Sequence, residues 1–182
     1  MDKFFAGLDV STQSLKLVVL DFSIKSIVYK DIIDYDKDLP NYETLNGSIK
    51  HEDLRVSESD PNMWIDALNK IFKKAKKETN ILSNIKAISV SGQQHGLVSL
   101  NSKGQLTKPT SKLWNDFSTQ EECDILTDYI GGEKNMISEI GNTQRTGYTA
   151  SKIFHMYRNE NTYFEQTNCF FLVHNFINWY LS

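Results

Sequence analysis

The order of the apolar segments in the first half of the chain restricts the fold more than any other feature of the sequence. Residues 3–9 and 15–22 are apolar and rich in β-forming residues on both sides of a short polar turn. Residues 26–36 alternate well enough to form a third strand. These three segments predict an antiparallel meander. An amphipathic segment and another apolar run follow, so the expected order of elements is β-β-β-α-β.

The amphipathic segment has a clear start and one apolar face. Asp60 is a candidate N-cap, and Pro61 would occupy the first helical position. The lysines at 70, 73, 74, 76 and 77 fall on the other side, which predicts a solvated face. The apolar residues recur at helical spacing: Met63, Trp64, Ala67, Leu68, Ile71, Phe72 and Ala75.

Residues 85–92 predict a buried strand that ends at Gly92. A three-stranded meander followed by a helix and a parallel strand is the opening of a ribonuclease-H-like α/β domain. That domain is the unit of actin, hexokinase and sugar kinases. The sequence therefore predicts a mixed sheet that begins with the meander and continues in αβ units.

Shorter elements are expected in the second half of the chain. Ser118 and Glu121 fit a capping box for a helix over about 119–130, which Gly131 and Gly132 end. The apolar residues 176–181 suggest a fragment whose end is covered by a missing part or by a second copy in a homodimer. The other predictions are a hairpin at 97–106 with Gly104 in its turn, a short strand at 112–116, helices at 133–139 and about 150–159, a strand at 169–173 and a final helix from 174.

Composition argues against several classes of protein. The 182 residues are 40% hydrophobic and 24% charged, with a formal net charge of −3 that disfavours non-specific nucleic-acid binding. No run approaches the ~20 apolar residues of a membrane span, and the first 20 residues lack the features of a signal peptide. Cys123 and Cys169 have no metal-ligand spacing and are expected to be reduced thiols. We therefore expect a cytoplasmic protein with no nucleic-acid or membrane partner.

The polar turn after the first strand carries the most suggestive chemistry. Ligands usually bind at the carboxyl ends of strands in open α/β sheets, and the hydroxyl groups and backbone amides of such a turn bind anions. Asp9 could hold Mg²⁺ directly or through waters, and Lys16 could add a positive charge. Alternatively, Asp9 bonds only to the amides of its own turn. The chain has neither a GxxxxGK[ST] nor a GxGxxG motif.

Several blocks of the sequence resemble the FGGY family of carbohydrate kinases, and its xylulokinase branch in particular. GLDVSTQSLKLVVLD is similar to the first phosphate-binding motif of the family. AISVSGQQHGLVSLNSKGQL, KLWND and GNTQRTGYTASKI resemble later blocks in the same order, and LVHNFINWYLS resembles the segment that closes the first part of the N-terminal domain. The resemblance runs from residue 4 to residue 181. It implies one N-terminal kinase domain over 1–182, truncated at its C-terminal end, with the second domain absent.

The resemblance also implies an activity and a set of site residues. Enzymes of this branch transfer the γ-phosphoryl group of ATP, with Mg²⁺, to D-xylulose in a cleft between two domains, giving D-xylulose 5-phosphate. The aspartate that acts as catalytic base is expected beyond Ser182, together with the adenosine site, so we expect the chain alone to be inactive. The implied phosphate-binding residues are Asp9, Ser11, Thr12, Gln13, Ser14 and Lys16, with Asp9 at the metal. The implied sugar-binding residues are Gln94, His95, Trp114, Asn115 and Asp116.

Three alternatives bear on these expectations. Many bacterial xylulokinases carry Met at the position of Gln94, which leaves another ketopentose or a polyol open as the substrate. A non-catalytic regulatory or binding module built from half a kinase also stays open. A ribonuclease-H-like nuclease is disfavoured, because its two metals need further carboxylates near the end of the fourth strand, and SVSGQQHG has no acidic residue.

Overall fold

The three opening segments pair as their alternating apolar residues predict. In the computed structural model, which describes residues 4–182, β1 (Phe4–Val10) pairs antiparallel with β2 (Ser14–Asp21). β2 pairs antiparallel with β3 (Ser26–Asp34). Alternate side chains of β1 and β2, such as Leu8, Val10, Leu15 and Leu17, are buried. The predicted meander is confirmed.

The polar segment after β3 contains short elements. α1 (Tyr35–Asp38) starts at Asp34, whose side chain accepts a hydrogen bond from the backbone N–H of Lys37. A single 3₁₀ turn (Pro40–Tyr42) leads to a hairpin of β4 (Thr44–Leu45) and β5 (Ser48–Ile49). β6 (Glu58–Ser59) follows before the long helix.

The long helix α2 (Pro61–Glu78) begins where its cap residues predict. The side chain of Asp60 accepts a hydrogen bond of 2.8 Å from the N–H of Asn62, and Pro61 is the first helical residue. Its apolar face packs against β2 and β3, with Trp64 and Ile71 fully buried. Burying a side chain of that size contributes about 1.5–3 kcal/mol. This face therefore holds the helix on the sheet.

β7 (Ile85–Gly92) follows a 3₁₀ turn (Leu82–Asn84) and pairs parallel with β1, which gives the strand order β3-β2-β1-β7. This order is that of a ribonuclease-H-like opening, as predicted. The expected burial of the strand was wrong, since Ala87, Ile88 and Ser89 are exposed. β7 is an edge strand within residues 4–182, so its apolar composition did not reveal its exposure.

The chain divides into two compact units. The first contains the described residues up to Lys50, Ser59–Gln93 and Val173–Ser182, and the second contains His51–Glu58 and Gln94–Leu172. The second unit holds these elements: β8 (Val98–Leu100), β9 (Ser111–Lys112), α3 (Gln120–Tyr129), α4 (Glu133–Ile140), α5 (Thr149–Asn159), α6 (Asn161–Gln166) and β10 (Cys169–Phe171). β8 pairs antiparallel with β10.

Several short elements differ from the predictions. The return strand of the 97–106 hairpin is reduced to one bridge, Leu100 with Leu106, and the strand predicted at 112–116 is limited to β9. The capping box was wrong: Thr119 is the N-cap of α3, because the hydroxyl of Ser118 donates to Asp116 instead. α6 was not predicted.

The final helix α7 (Val173–Leu181) belongs to the first unit and packs against β7. Phe176 and Ile177 are buried within the chain itself, whereas Trp179, Tyr180 and Leu181 remain 40–44% exposed. Cys123 and Cys169 are free thiols, as expected. No helix within residues 4–182 has the length and apolar character needed to cross a bilayer.

Candidate functional sites

The turn between β1 and β2 brings a carboxylate, a hydroxyl and an ammonium group together. Asp9 lies directly opposite Lys16 in the strand register, and its Oδ2 is 3.7 Å from the Lys16 Nζ. The same oxygen accepts a hydrogen bond of 2.6 Å from the hydroxyl of Ser11. The turn closes through the N–H of Ser11, which donates to the carbonyl of Ser14. The side chains of Asp9 and Lys16 are both more than 40% exposed, so a ligand can reach them.

The remaining predicted phosphate residues occupy different environments in this turn. Gln13 is exposed and Thr12 is half-buried, whereas Ser14 is buried at the first residue of β2. The backbone of Gln13 is held in place, because its carbonyl accepts a hydrogen bond of 3.0 Å from the N–H of Tyr35. The buried Tyr35 hydroxyl also donates to the carbonyl of Ser11. Burial, followed by the negative charge of Asp9, raises the pKa of Tyr35 well above its usual value, so the hydroxyl stays a donor.

The β4–β5 hairpin also contacts the turn. Gly47, at its tip, has a φ of +78°, and a Cβ at this position would overlap the carbonyl of Thr12. The carboxylate of Asp36 holds the tip by accepting hydrogen bonds from Thr44, Asn46 and Gly47. Burial alone would raise the pKa of Asp36, but these hydrogen bonds outweigh it and lower the pKa. The hairpin is thus anchored directly against the turn.

The chemistry of the turn suits a metal held jointly with a ligand. Residues 4–182 contain no cluster of three or more His, Cys, Asp or Glu side chains that could hold a metal ion. Mg²⁺ often binds through one or two carboxylates, with waters and substrate phosphates completing its octahedron. A single, partly exposed carboxylate at Asp9 fits that mode of binding.

In the second unit, the segment after β7 presents Gln94 and His95. Gln94 is exposed, and His95 is half-buried with a left-handed backbone φ of +59°. The imidazole of His95 packs on the ring of Tyr148, with 4.7 Å between centroids. Burial, followed by the nearby charge of Lys152, lowers the pKa of His95. His95 is therefore neutral at pH 7, with one ring nitrogen to donate and one to accept.

The segment after β9 places its three predicted residues differently. Trp114 is 48% exposed, and Asn115 accepts a hydrogen bond of 2.9 Å from the hydroxyl of Ser57. Asp116 is fully buried. Its carboxylate already accepts hydrogen bonds from four donors, which are the N–H and hydroxyl of Ser118, the N–H of Ser57 and the Nζ of Lys112. Asp116 thus has the environment of a residue that fixes the loop, whereas Trp114 is open to solvent.

Sequence reasoning missed three residues near these segments. Gln93 is buried, yet neither its Oε1 nor its Nε2 has a hydrogen-bond partner within residues 4–182. Tyr148 and Lys152 lie in the quoted block GNTQRTGYTASKI, but nothing in their spacing revealed that they contact His95. For Gln93, the only feature of the sequence that could have drawn attention to it is that two consecutive glutamines follow a predicted strand.

Comparison with known proteins agrees with the architecture. The family described as "FGGY family of carbohydrate kinases, N-terminal domain" matches residues 4–182. The xylulose kinases of Schizosaccharomyces pombe and Haemophilus influenzae are each 34% identical to the chain, and their alignments cover 95% and 98% of it. The crystal structure of xylulose kinase from Bifidobacterium adolescentis matches 98% of the chain with a TM-score of 0.78 at 23% identity. The chain spans about a third of the length of these relatives, 34% in each case.

Proposed function

Since the chain belongs to the FGGY family of carbohydrate kinases and corresponds to its N-terminal domain, we propose that it forms part of an enzyme that phosphorylates D-xylulose with ATP and Mg²⁺. The product would be D-xylulose 5-phosphate. The observation that carries the proposal is the exposed turn with Asp9, Ser11 and Lys16 at the carboxyl end of β1. The similarity of the chain to xylulose kinases, at 34% identity, supports D-xylulose as the substrate.

On the phosphate side, the turn supplies positive and negative groups with separate tasks. Like charges repel, so Asp9 would not contact a phosphate oxygen directly. It would hold Mg²⁺, and the metal would supply the positive charge that neutralises the phosphates. Lys16 adds a second positive charge, and the backbone amides and hydroxyls of residues 11–14 donate hydrogen bonds. Phosphoryl transfer depends mainly on positioning and charge neutralisation, which are the two tasks this turn performs.

On the sugar side, Gln94 and His95 offer groups that both donate and accept, as the hydroxyls of a sugar require. Trp114 and Asn115 contribute an exposed ring and an amide. The family resemblance also implies a sugar contact for Asp116. Because its buried carboxylate already accepts hydrogen bonds from four donors, we infer that it acts by fixing the Trp114–Asn115 loop. The catalytic base, the adenosine site and the second domain remain predictions for the part of the enzyme outside this segment, and the cytoplasmic location remains a prediction from the sequence.

A coupled assay of a full-length enzyme that contains this segment tests the proposal. We expect ATP- and Mg²⁺-dependent turnover of D-xylulose that exceeds turnover of other ketopentoses, glycerol and gluconate. The 182-residue chain alone is expected to show no sugar-dependent turnover. A preference for another ketopentose or a polyol would show that D-xylulose is the wrong substrate assignment. The absence of any sugar-dependent turnover by the full-length enzyme would favour a regulatory half-kinase.

The variant Asp9→Asn tests the assigned role of the turn. Asparagine keeps the shape but loses the charge that holds Mg²⁺, so we expect kcat to fall by about a hundredfold or more, as for the loss of other groups that stabilise developing charge. The KM for D-xylulose should change little. Asp21→Asn, on the same hairpin but away from the turn, is the matched control and should leave kcat near that of the parent. Equal losses in sugar affinity and turnover for Asp9→Asn would indicate a folding role.

A further inference from the structure

Lys152 is a buried lysine whose side chain has no carboxylate hydrogen-bonded to it among residues 4–182. It lies on α5 with 1% of its surface exposed. Its Nζ instead donates to three backbone carbonyls: those of His95 at 2.7 Å, Leu113 at 2.7 Å and Gly147 at 2.9 Å. An ammonium group has three N–H donors, so each is used once.

The three carbonyls belong to the three segments that surround the proposed sugar residues. His95 itself has the left-handed backbone, a conformation that costs energy for a residue other than glycine and so needs support. Leu113 directly precedes Trp114 and Asn115. Gly147 directly precedes Tyr148, whose ring packs on His95.

The contact between two of these segments is close. A Cβ on Gly147 would overlap the carbonyl of Trp114, so the segments approach each other through bare backbone. A shift of either segment would therefore disturb the other. The Nζ of Lys152 binds the backbone of both segments and that of His95.

We propose that Lys152 is the positioning residue of the sugar site, holding His95, the Trp114–Asn115 loop and the Gly147–Tyr148 turn in one arrangement through its three carbonyl contacts. The inference rests on the proposed function for its consequence, sugar binding, but the positioning itself is a property of this chain. Lys152 does not need to touch the sugar. It acts through His95 and through the two neighbouring segments.

The charge of Lys152 gives it a second effect on His95. Burial lowers the pKa of Lys152 to about 7, with the carboxylate of Asp116 acting to raise it and the ammonium of Lys112 to lower it. The three carbonyl acceptors also favour the charged form. This positive charge helps to lower the pKa of His95, and thereby keeps the imidazole neutral. Lys152 thus holds the backbone of His95 and adds to the lowering of its pKa that burial causes.

Lys108 offers a matched comparison in the same unit. It is also a buried lysine, but its Nζ pairs with carboxylates, at 3.1 Å from Glu58 and 2.7 Å from Glu160. Removing one partner of such a buried pair destabilises a protein strongly. A loss of Lys108 therefore imitates the general cost of losing a buried lysine without releasing the three carbonyls.

The first experiment uses the 182-residue chain and needs no sugar. An NMR titration of the imidazole signals should show His95 with a pKa below its usual value, and Lys152→Met should raise that pKa toward the usual value because a like charge is lost. His51, His155 and His174 serve as internal controls. Lys108→Met should leave His95 unchanged. If Lys152→Met does not fold, Lys152→Gln, which removes the charge but keeps two N–H donors, provides the same readout. An unchanged titration of His95 in the folded variant would overturn the inference.

The second experiment measures kinetics in a full-length enzyme that contains this segment. We expect Lys152→Met to raise the KM for D-xylulose about tenfold or more, as for the loss of one to two buried hydrogen bonds, with the KM for ATP nearly unchanged. Lys152→Gln should give a smaller rise, and Lys108→Met should lower the melting temperature without changing either KM. Equal KM values for D-xylulose in Lys152→Met and the parent would overturn the inference. If the parent enzyme does not phosphorylate D-xylulose, the proposed function fails, and the titration of His95 alone decides the role of Lys152.

Discussion

At the scale of single residues, His95 combines a strained backbone with a neutral, bifunctional side chain. If it binds a sugar hydroxyl, its loss leaves that hydroxyl unpaired, at a cost of about 1–3 kcal/mol. We expect His95→Ala, in a full-length enzyme that contains this segment, to raise the KM for D-xylulose about tenfold or more and to leave the KM for ATP nearly unchanged. His95→Gly removes the same imidazole but adopts the left-handed conformation without strain, so it should give the same rise.

The acid limb of the pH profile provides the matching control. The pKa of His95 lies below its ordinary value of 6.5 in the folded chain, so the imidazole becomes a cation and loses its acceptor only at acidic pH. The KM of the parent for D-xylulose should rise there, and that of His95→Ala should not. The unfolded chain binds this proton first, so the same shift lowers folding stability as the pH falls through 6.5. If calorimetry shows that His95→Ala and the parent bind D-xylulose equally, His95 has only a structural role in its turn.

Gln93 is expected to lower the stability of the folded chain, because its side-chain amide is buried without hydrogen-bond partners among residues 4–182. A buried amide without partners costs about 1–3 kcal/mol for each unsatisfied group. Replacing it with an apolar residue of similar size should therefore raise the melting temperature of the chain, by about 2–4 °C for each kcal/mol gained. Differential scanning calorimetry of Gln93→Leu measures this effect. A lower melting temperature would mean that an ordered water already satisfies the amide.

The sequence allowed some of these residues to be predicted and not others. Asp9 and Lys16 could be predicted because a short turn between two alternating strands places them opposite each other. The roles of Lys152 and Tyr148 could not, because they arise from contacts more than 50 residues apart along the chain. The Ser118 cap was mispredicted for a related reason, since the buried carboxylate of Asp116 competes for its hydroxyl.

At the scale of secondary structure, the β4–β5 hairpin is the element whose position matters most to the phosphate turn. Gly47→Ala would place a methyl group against the carbonyl of Thr12 and close to the backbone of Gln13. We expect the hairpin tip to be displaced, with losses of stability and, in a full-length enzyme, of kcat. Thermal unfolding and the coupled assay measure the two effects.

Gly141→Ala separates the two causes of that loss. Gly141 has a φ of +79°, close to that of Gly47, but a Cβ there would meet no atom within 4 Å. Its substitution should cost only the left-handed backbone penalty, about 1–2 kcal/mol. Gly47→Ala should cost more than this, and the difference measures the steric contact with the turn. Equal costs would mean that the hairpin adjusts without disturbing residues 12 and 13.

Helices and strands were predicted correctly where their caps and their pattern of apolar residues matched their burial in the fold. The Asp60 cap, Pro61 and one apolar face all indicated α2, and the helix begins accordingly. β7 shows the limit of that reasoning, since its apolar composition identified a strand but not its place at the edge of the sheet. The strand order depends on pairing between β1 and a segment more than 70 residues away, which periodicity alone does not specify.

At the scale of the whole molecule, the order of elements carried more information than any single motif. A meander, a helix and a parallel strand by themselves indicate a ribonuclease-H-like fold, and the strand order β3-β2-β1-β7 agrees with that fold. The division into two compact units was not predicted, because each unit is built from segments that are separated along the chain. The pattern of apolar residues indicates which face of an element is buried, but not which distant segment packs against that face.

The first unit leaves one apolar surface that should govern how the chain behaves in solution. β7 is an edge strand with Ile88 39% exposed, and α7, which packs against β7, exposes Trp179, Tyr180 and Leu181. Unpaired strand edges and contiguous apolar patches favour association. We therefore expect copies of the chain to associate through this surface as concentration rises, and light scattering coupled to size-exclusion chromatography measures this.

A single charge on this surface should weaken that association. We expect Ile88→Lys to shift the chain toward the monomer, because a lysine on an edge strand opposes pairing with a second edge. Leu54→Lys, at a position 94% exposed in the second unit, is the matched control, since it adds the same charge outside the first unit and should leave association unchanged. A monomer at every concentration for the unmodified chain, without binding of a dye that reports exposed apolar surface, would contradict the prediction. An equal shift in both variants would show that the effect does not depend on β7, and net charge would not explain it, because each added lysine reduces the net charge of −3 and so weakens the repulsion between copies.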